Sequence, residues 1–227
     1  MTHRSAGKPY LRDAVIMGVA VGVFGAGFGV LAVESGFSVL QACAMSLLVF
    51  TGASQFTAAS VIGTGGEPLA AIGAALLLAA RNGLYGMTMS GLISGSVLKR
   101  AGAAQLTIDE STALAVGQAD SDDSEPAFWA GGLAVFVFWN LGTATGALFG
   151  QALGDADALG LDAAFAAGFI ALAMPALRTP AGRTAGIAGG AIAAVASLGL
   201  RPGLPVILAA LGALISYQIH FARPEAQ

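Results

Sequence analysis

The chain has 227 residues, 33 of them glycine, with ten basic and thirteen acidic side chains and a formal net charge of −3. Apolar residues make up 56% and charged residues only 10%, and the mean hydropathy is +0.78. A soluble chain carries about 25% charge, so this composition excludes a water-soluble domain and points to an integral membrane protein built of helices. No basic stripe suits a nucleic-acid backbone. Cys43 stands alone, and the two histidines, His3 and His220, lie near opposite ends. No disulfide, metal site or cofactor is expected from them.

The first element follows a basic start, residues 1–12. The apolar run 14–33 is 20 residues long, more than a signal peptide's apolar core, and reads as a first membrane helix. A bilayer core about 30 Å thick takes about 20 helical residues. Runs 38–62, 127–150 and 204–221 also fit, while 161–177 and 184–200 are at the short end. The block 69–98 is too long for one ordinary span and too short for two. The predicted fold is all-α: a polytopic transmembrane bundle with short, broken or re-entrant helices. The expected organisation is a cytoplasmic segment 1–12, one transmembrane domain 13–221 with a polar loop 101–125, and a tail 222–227. Continuous apolar runs exclude barrel strands, which alternate.

Basic residues set orientation. Arg4, Lys8 and Arg12 place the N-terminus in the cytoplasm, and Lys99-Arg100 and Arg178/Arg183 make the same demand. These demands conflict if every block crosses once. Either 69–98 is a pair of short crossings or half-helices, or an early block is re-entrant. Broken segments of this kind mark the central site of transporters.

Gly18, Gly22, Gly25 and Gly29 form a small face on the first helix, and Gly142, Gly146 and Gly150 repeat the spacing later. Such faces let helices approach closely in lipid, and packing is their main expected role.

Polar residues at membrane depth are the candidate site. Thr51, Gly52, Ser54 and Gln55 interrupt a long uncharged stretch. Gly52 would break the helix, freeing backbone N–H groups for a carboxylate, and Gln55 would bond a zwitterion. The alternative is a hydrogen-bonded packing cluster. Arg81-Asn82 is either a deep site seeking a carboxylate or a marker between two short helices. Asp109 and Glu110 read as a helix cap and loop surface, or as coupling and gating groups with Glu110 titrating or pairing with Arg81. Trp139-Asn140 lies mid-span as an aromatic wall or a packing contact, whereas Trp129 suits the interface. Asp155, Asp157 and Asp162 lack calcium-loop spacing and read as a solvated loop, with Asp162 a possible cap. No nucleophile or metal motif supports an enzyme.

Several blocks together resemble the AzlC-like branched-chain amino acid permeases: SLLVFTGASQFTAASVIGTG at 46–65, LAARNGLYGMTMS at 78–90, QLTIDESTALA at 105–115, FWNLGTATGALFG at 138–150 and LGLDAAFAAGFIALAMPALR at 159–178. They occur in the family's order and cover roughly residues 10–220. One departure is Asn82, where the family usually carries histidine after the arginine. The resemblance implies a subunit that exports valine, leucine or isoleucine across the bacterial inner membrane. It also implies a small AzlD-like membrane partner. The competing class is a non-transporting membrane scaffold or assembly subunit, for which the glycine faces alone suffice.

Overall fold

A computed structural model describes residues 8–153, 170, 173–174 and 176–222. The described residues form an all-α fold. The expected 161–177 span lies mostly outside them, and Asp155, Asp157 and Asp162 lie wholly outside.

Helix α1 (Pro9–Glu34) starts with proline in its first turn, where the missing N–H costs nothing. Its 26 residues extend about 39 Å, enough to cross a bilayer. Helix α2 (Val39–Leu48) opens on a reciprocal cap. Ser38 Oγ accepts from the Gln41 N–H at 3.2 Å, and Gln41 Oε1 accepts from the Ser38 N–H at 2.7 Å. The chain then breaks at 49–52, where Gly52 adopts φ +55°, and resumes as α3 (Ala53–Gly63). The run 38–62 is therefore two half-length helices, each about 15–17 Å long, and the expected break falls at Gly52.

The block 69–98 is not a pair of short crossings. Helix α4 (Pro68–Ser90) is continuous and long enough to span, and Arg81 sits inside it rather than between helices. The polar stretch 101–125, expected as a loop, is largely helical: α5 (Val97–Leu106), α6 (Asp109–Val116) and the start of α7 (Ser121–Leu153). Small and polar side chains close these helix ends. Ser96 Oγ caps α5 by accepting from the Lys99 N–H. Ser111 Oγ, fully buried, accepts from the Ile108 N–H at 3.1 Å and donates to the Leu106 carbonyl at 2.7 Å. The Asp120 carboxylate accepts from the Asp122 N–H at 3.0 Å, and Asp122 and Asp123 then sit favourably in the first turn of α7. Pro126 forgoes one bond near that helix's start.

Contacts divide the chain into two compact units, Met1–Phe56 with Leu78–Gly154 and Thr57–Leu77 with Asp155–Gln227. In the first, α1 and α7 are locked through their glycine faces. A Cβ on Gly18 would lie 2.9 Å from the Phe138 ring, and one on Gly25 would lie 2.6 Å from the Trp139 carbonyl oxygen. Gly142 faces Gly22, Gly146 faces Ala26, and Gly150 faces Val30. Both residue numbers rise together, so the two helices run in the same direction.

Helices α5 and α6 form a hairpin against α7. Lys99 Nζ meets Glu125 Oε1 at 2.5 Å, Gly102 faces Trp129, and Leu106 packs on Gly132. Ser111 and Leu114 then pack on Gly131 as the chain returns. The hairpin enters and leaves at the N-terminal end of α7. Its tip reaches α2, where Gln105 Nε2 donates to the Leu47 carbonyl at 2.9 Å. The C-terminal end of α4 lies beside α5. Lys99-Arg100, the N-terminal end of α1 and the end of α4 therefore share one side of the bundle. Because α4 is one continuous helix, the divided reading of 69–98 falls away. The re-entrant early block is the alternative that removes the charge conflict.

The second unit contains α8 (Pro180–Ala196), α9 (Leu204–Ala209) and α10 (Leu211–His220). Helices α8 and α10 run antiparallel: Ser216 Oγ donates to the Ala181 carbonyl at 2.7 Å, and Gly212 abuts Gly189. Arg201 pairs with Glu67. Gly203, at φ +94°, makes the turn into α9 against Val61 and Ala70.

Candidate functional site

The break in α2–α3 faces the middle of α7. Gly52 comes within 3.9 Å, by its Cβ direction, of Trp139 Cη2. Gln is the third residue of α3 and reaches back to the break, so Gln55 Oε1 accepts from the Gly52 N–H at 3.1 Å. Gln55 is fully buried, and its Nε2 has no hydrogen-bond partner among the described residues.

Trp139 forms the opposite wall. It stacks on Phe28 of α1 (centroids 6.2 Å apart) and meets Phe56 of α3 edge-on at 6.2 Å. Phe28 and Phe56 pack edge-on at 5.7 Å, closing an aromatic trio. Trp139 is 4% exposed, yet its Nε1 is also unpartnered among the described residues. Next to it, Asn140 spends its Nδ2 on the Phe136 carbonyl at 2.8 Å and leaves Oδ1 buried and unpartnered. A buried polar atom without a partner costs about 1–3 kcal/mol. Unsatisfied buried polar atoms of this kind mark candidate binding positions.

The remaining predicted residues are placed as follows. Thr51 Oγ1 donates to the Val49 carbonyl at 3.1 Å, holding the turn at the break. Ser54 is buried in the first turn of α3, and Asn82 is half-buried on α4. Arg81 pairs with Asp109 at 3.4 Å, both side chains 42% exposed. Asp109 is thus not a cap: it is the first residue of α6, and Ser111 supplies the capping oxygen. Glu110 lies half-buried beside this pair, within reach of the charges of both Arg81 and Asp109. Two carboxylates therefore share one guanidinium. The structure brings Gly52, Gln55 and Trp139 together and, separately, Arg81 and Asp109.

Sequence reasoning missed Phe28, Phe56 and Thr112. Phe28 sits between Gly25 and Gly29 and is fully buried beside the small face. Phe56 directly follows Gln55, and that adjacency is its one local signal. Thr112 Oγ1 is buried without a partner among the described residues, and nothing in its local sequence signals that. Thr143 was also missed; it is fully buried and bonds Ser46 Oγ at 3.1 Å, tying α2 to α7.

Exposed Val15, Ile16, Val19 and Val23 on α1, Leu69, Leu76, Leu84 and Met87 on α4, and Leu133, Val137 and Leu141 on α7 give these helices lipid-facing surfaces. Three helices among the described residues are long and apolar enough to cross a membrane, and the chain is a polytopic membrane protein. No curated protein and no solved structure matches it. Its residues 16–153 match the family described as AzlC protein, and with more than half its length so matched, the chain belongs to the AzlC family.

Proposed function

We propose that this protein is the large subunit of a secondary transporter that exports branched-chain amino acids across the bacterial inner membrane, working with a small AzlD-like membrane partner. The observation that carries the reading is the pair of buried, unpartnered donors, Gln55 Nε2 and Trp139 Nε1, set among Phe28 and Phe56 beside the Gly52 break. A substrate carboxylate accepts from these two N–H groups. Asn140 Oδ1 supplies an acceptor for the ammonium, and the phenyl rings cover an aliphatic side chain. Small helix-break sites of this type bind amino acids through half-helix ends at mid-membrane. A scaffold has no use for polar atoms kept buried and unpaired, which is what favours transport over it.

The test is flux. Proteoliposomes loaded with radiolabelled valine should lose it saturably when the partner is co-reconstituted, and unlabelled leucine should compete. Absence of saturable flux both with and without the partner overturns the reading.

Coupling is assigned to the charge cluster. With two carboxylates to one guanidinium, a proton taken up by Glu110 relieves an excess negative charge. Glu110→Gln fixes the neutral form, so valine flux should lose its dependence on pH and stay at the value that wild type reaches on the acid side. A pH profile parallel to wild type excludes Glu110 as the coupling group.

A further inference from the structure

We propose that the groove between the C-terminal end of α4 and α5 binds one anionic phospholipid. The groove has a volume of about 420 Å³ and is walled mainly by Gly86, Met89, Ile93, Val97 and Ala104, with Arg100 as its one charged residue. This volume is in the range of sites that hold a discrete small molecule.

The polar inventory of the groove defines the ligand. Ser90 Oγ is spent on the Met87 carbonyl at 2.7 Å, and Thr107 Oγ1 on the Ala103 carbonyl at 2.7 Å. Lys99, the neighbouring cation, is held by Glu125. Arg100 is exposed and has no ion-pair partner among the described residues. The site therefore offers aliphatic walls and one guanidinium, with no carboxylate in its lining. A free amino acid would leave its ammonium group unmatched there. A phosphodiester carrying acyl chains leaves nothing unmatched: phosphate bonds the guanidinium fork, and a chain lies along the aliphatic wall.

Position supports the same occupant. The groove lies at the end of a spanning helix, on the side shared with the basic N-terminal end of α1, where anionic headgroups meet juxtamembrane arginines. Val97 and Leu98, 85% and 83% exposed beside Lys99 and Arg100, place this turn at the boundary between acyl chains and headgroups. This inference does not depend on which substrate is transported.

Native mass spectrometry of the purified full chain, titrated with phosphatidylglycerol or phosphatidylcholine, tests it. Wild type should retain one phosphatidylglycerol in preference to phosphatidylcholine. Arg100→Gln should weaken phosphatidylglycerol retention about five-fold and leave phosphatidylcholine unchanged. Lys8→Gln, an equal loss of charge elsewhere on that side, should change neither. Ala104→Trp keeps the guanidinium but fills the groove, and it should also displace phosphatidylglycerol. Equal retention of the two lipids by wild type overturns the proposal. So does wild-type retention of phosphatidylglycerol in either groove variant, or its displacement by millimolar valine.

Discussion

Replacing Gly146 with alanine should force α1 away from α7 and strongly destabilise the first unit. A single Cβ at this position would overlap the Ala26 carbonyl oxygen well inside van der Waals contact. The obstacle is backbone, so no rotamer change relieves it, and the two helices must move apart along the whole interface. Overpacking that side chains absorb costs about 1–3 kcal/mol; here the cost should reach about 3 kcal/mol or more. Gly142 is in the same position against the Gly22 carbonyl, and Gly142→Ala should behave alike. The control is Gly83→Ala on α4, where a Cβ meets nothing within 4 Å. That change should stabilise the helix by up to about 1 kcal/mol. Thermal unfolding in detergent, followed by size-exclusion profile, distinguishes them. If Gly146→Ala melts with Gly83→Ala, the close approach of the helices is wrong.

Loss of the buried donors should be the largest functional effect. Gln55→Leu should weaken valine binding about ten- to a hundred-fold, the scale of a hydrogen bond to a charged group of about 1.5–3 kcal/mol. That variant also uncaps the Gly52 N–H, so its effect mixes binding with local structure. Trp139→Phe avoids this problem. It keeps an aromatic ring against Phe28 and Phe56 and leaves the Gly52 cap intact, while removing the unpartnered Nε1 together with part of the indole's volume. Valine binding should fall about ten-fold, while the melting temperature falls only modestly, since the cavity left by the smaller ring is partly offset by loss of a buried unsatisfied atom. Binding and flux at wild-type levels in Trp139→Phe would remove the indole N–H from the site.

The sequence carried the fold class because lipid imposes it: charge-free runs of the right length have few alternatives to a helix. It carried the Gly52 break for a local reason, since glycine among polar residues within an apolar run favours interruption. The conflict among basic residues was also informative. It named two remedies, and the continuous α4 removes the divided one, with Arg81 lying within the helix, paired to Asp109, rather than at a helix end. What the sequence could not disclose was pairing over distance. Arg81 and Asp109 are brought together by α6, whose helical character was hidden under a polar composition that reads as loop. The aromatic trio draws on α1, α3 and α7, and no local pattern links three such segments. The unpartnered state of Gln55 Nε2 and Trp139 Nε1 is a property of the packed bundle, absent from any single stretch of chain.

The glycine lock between α1 and α7 also has a consequence in time. α1 is made before α7, and the face it needs there follows more than a hundred residues later. At about 5–20 residues per second, that is roughly 5–20 s during which the small face of α1 stands open. Stripes of this kind associate readily with one another. Neighbouring ribosomes on one message thus hold α1 helices ready to pair with each other, and the arrival of α7 must end that competition. A chain cut short before α7 would carry the competing state permanently.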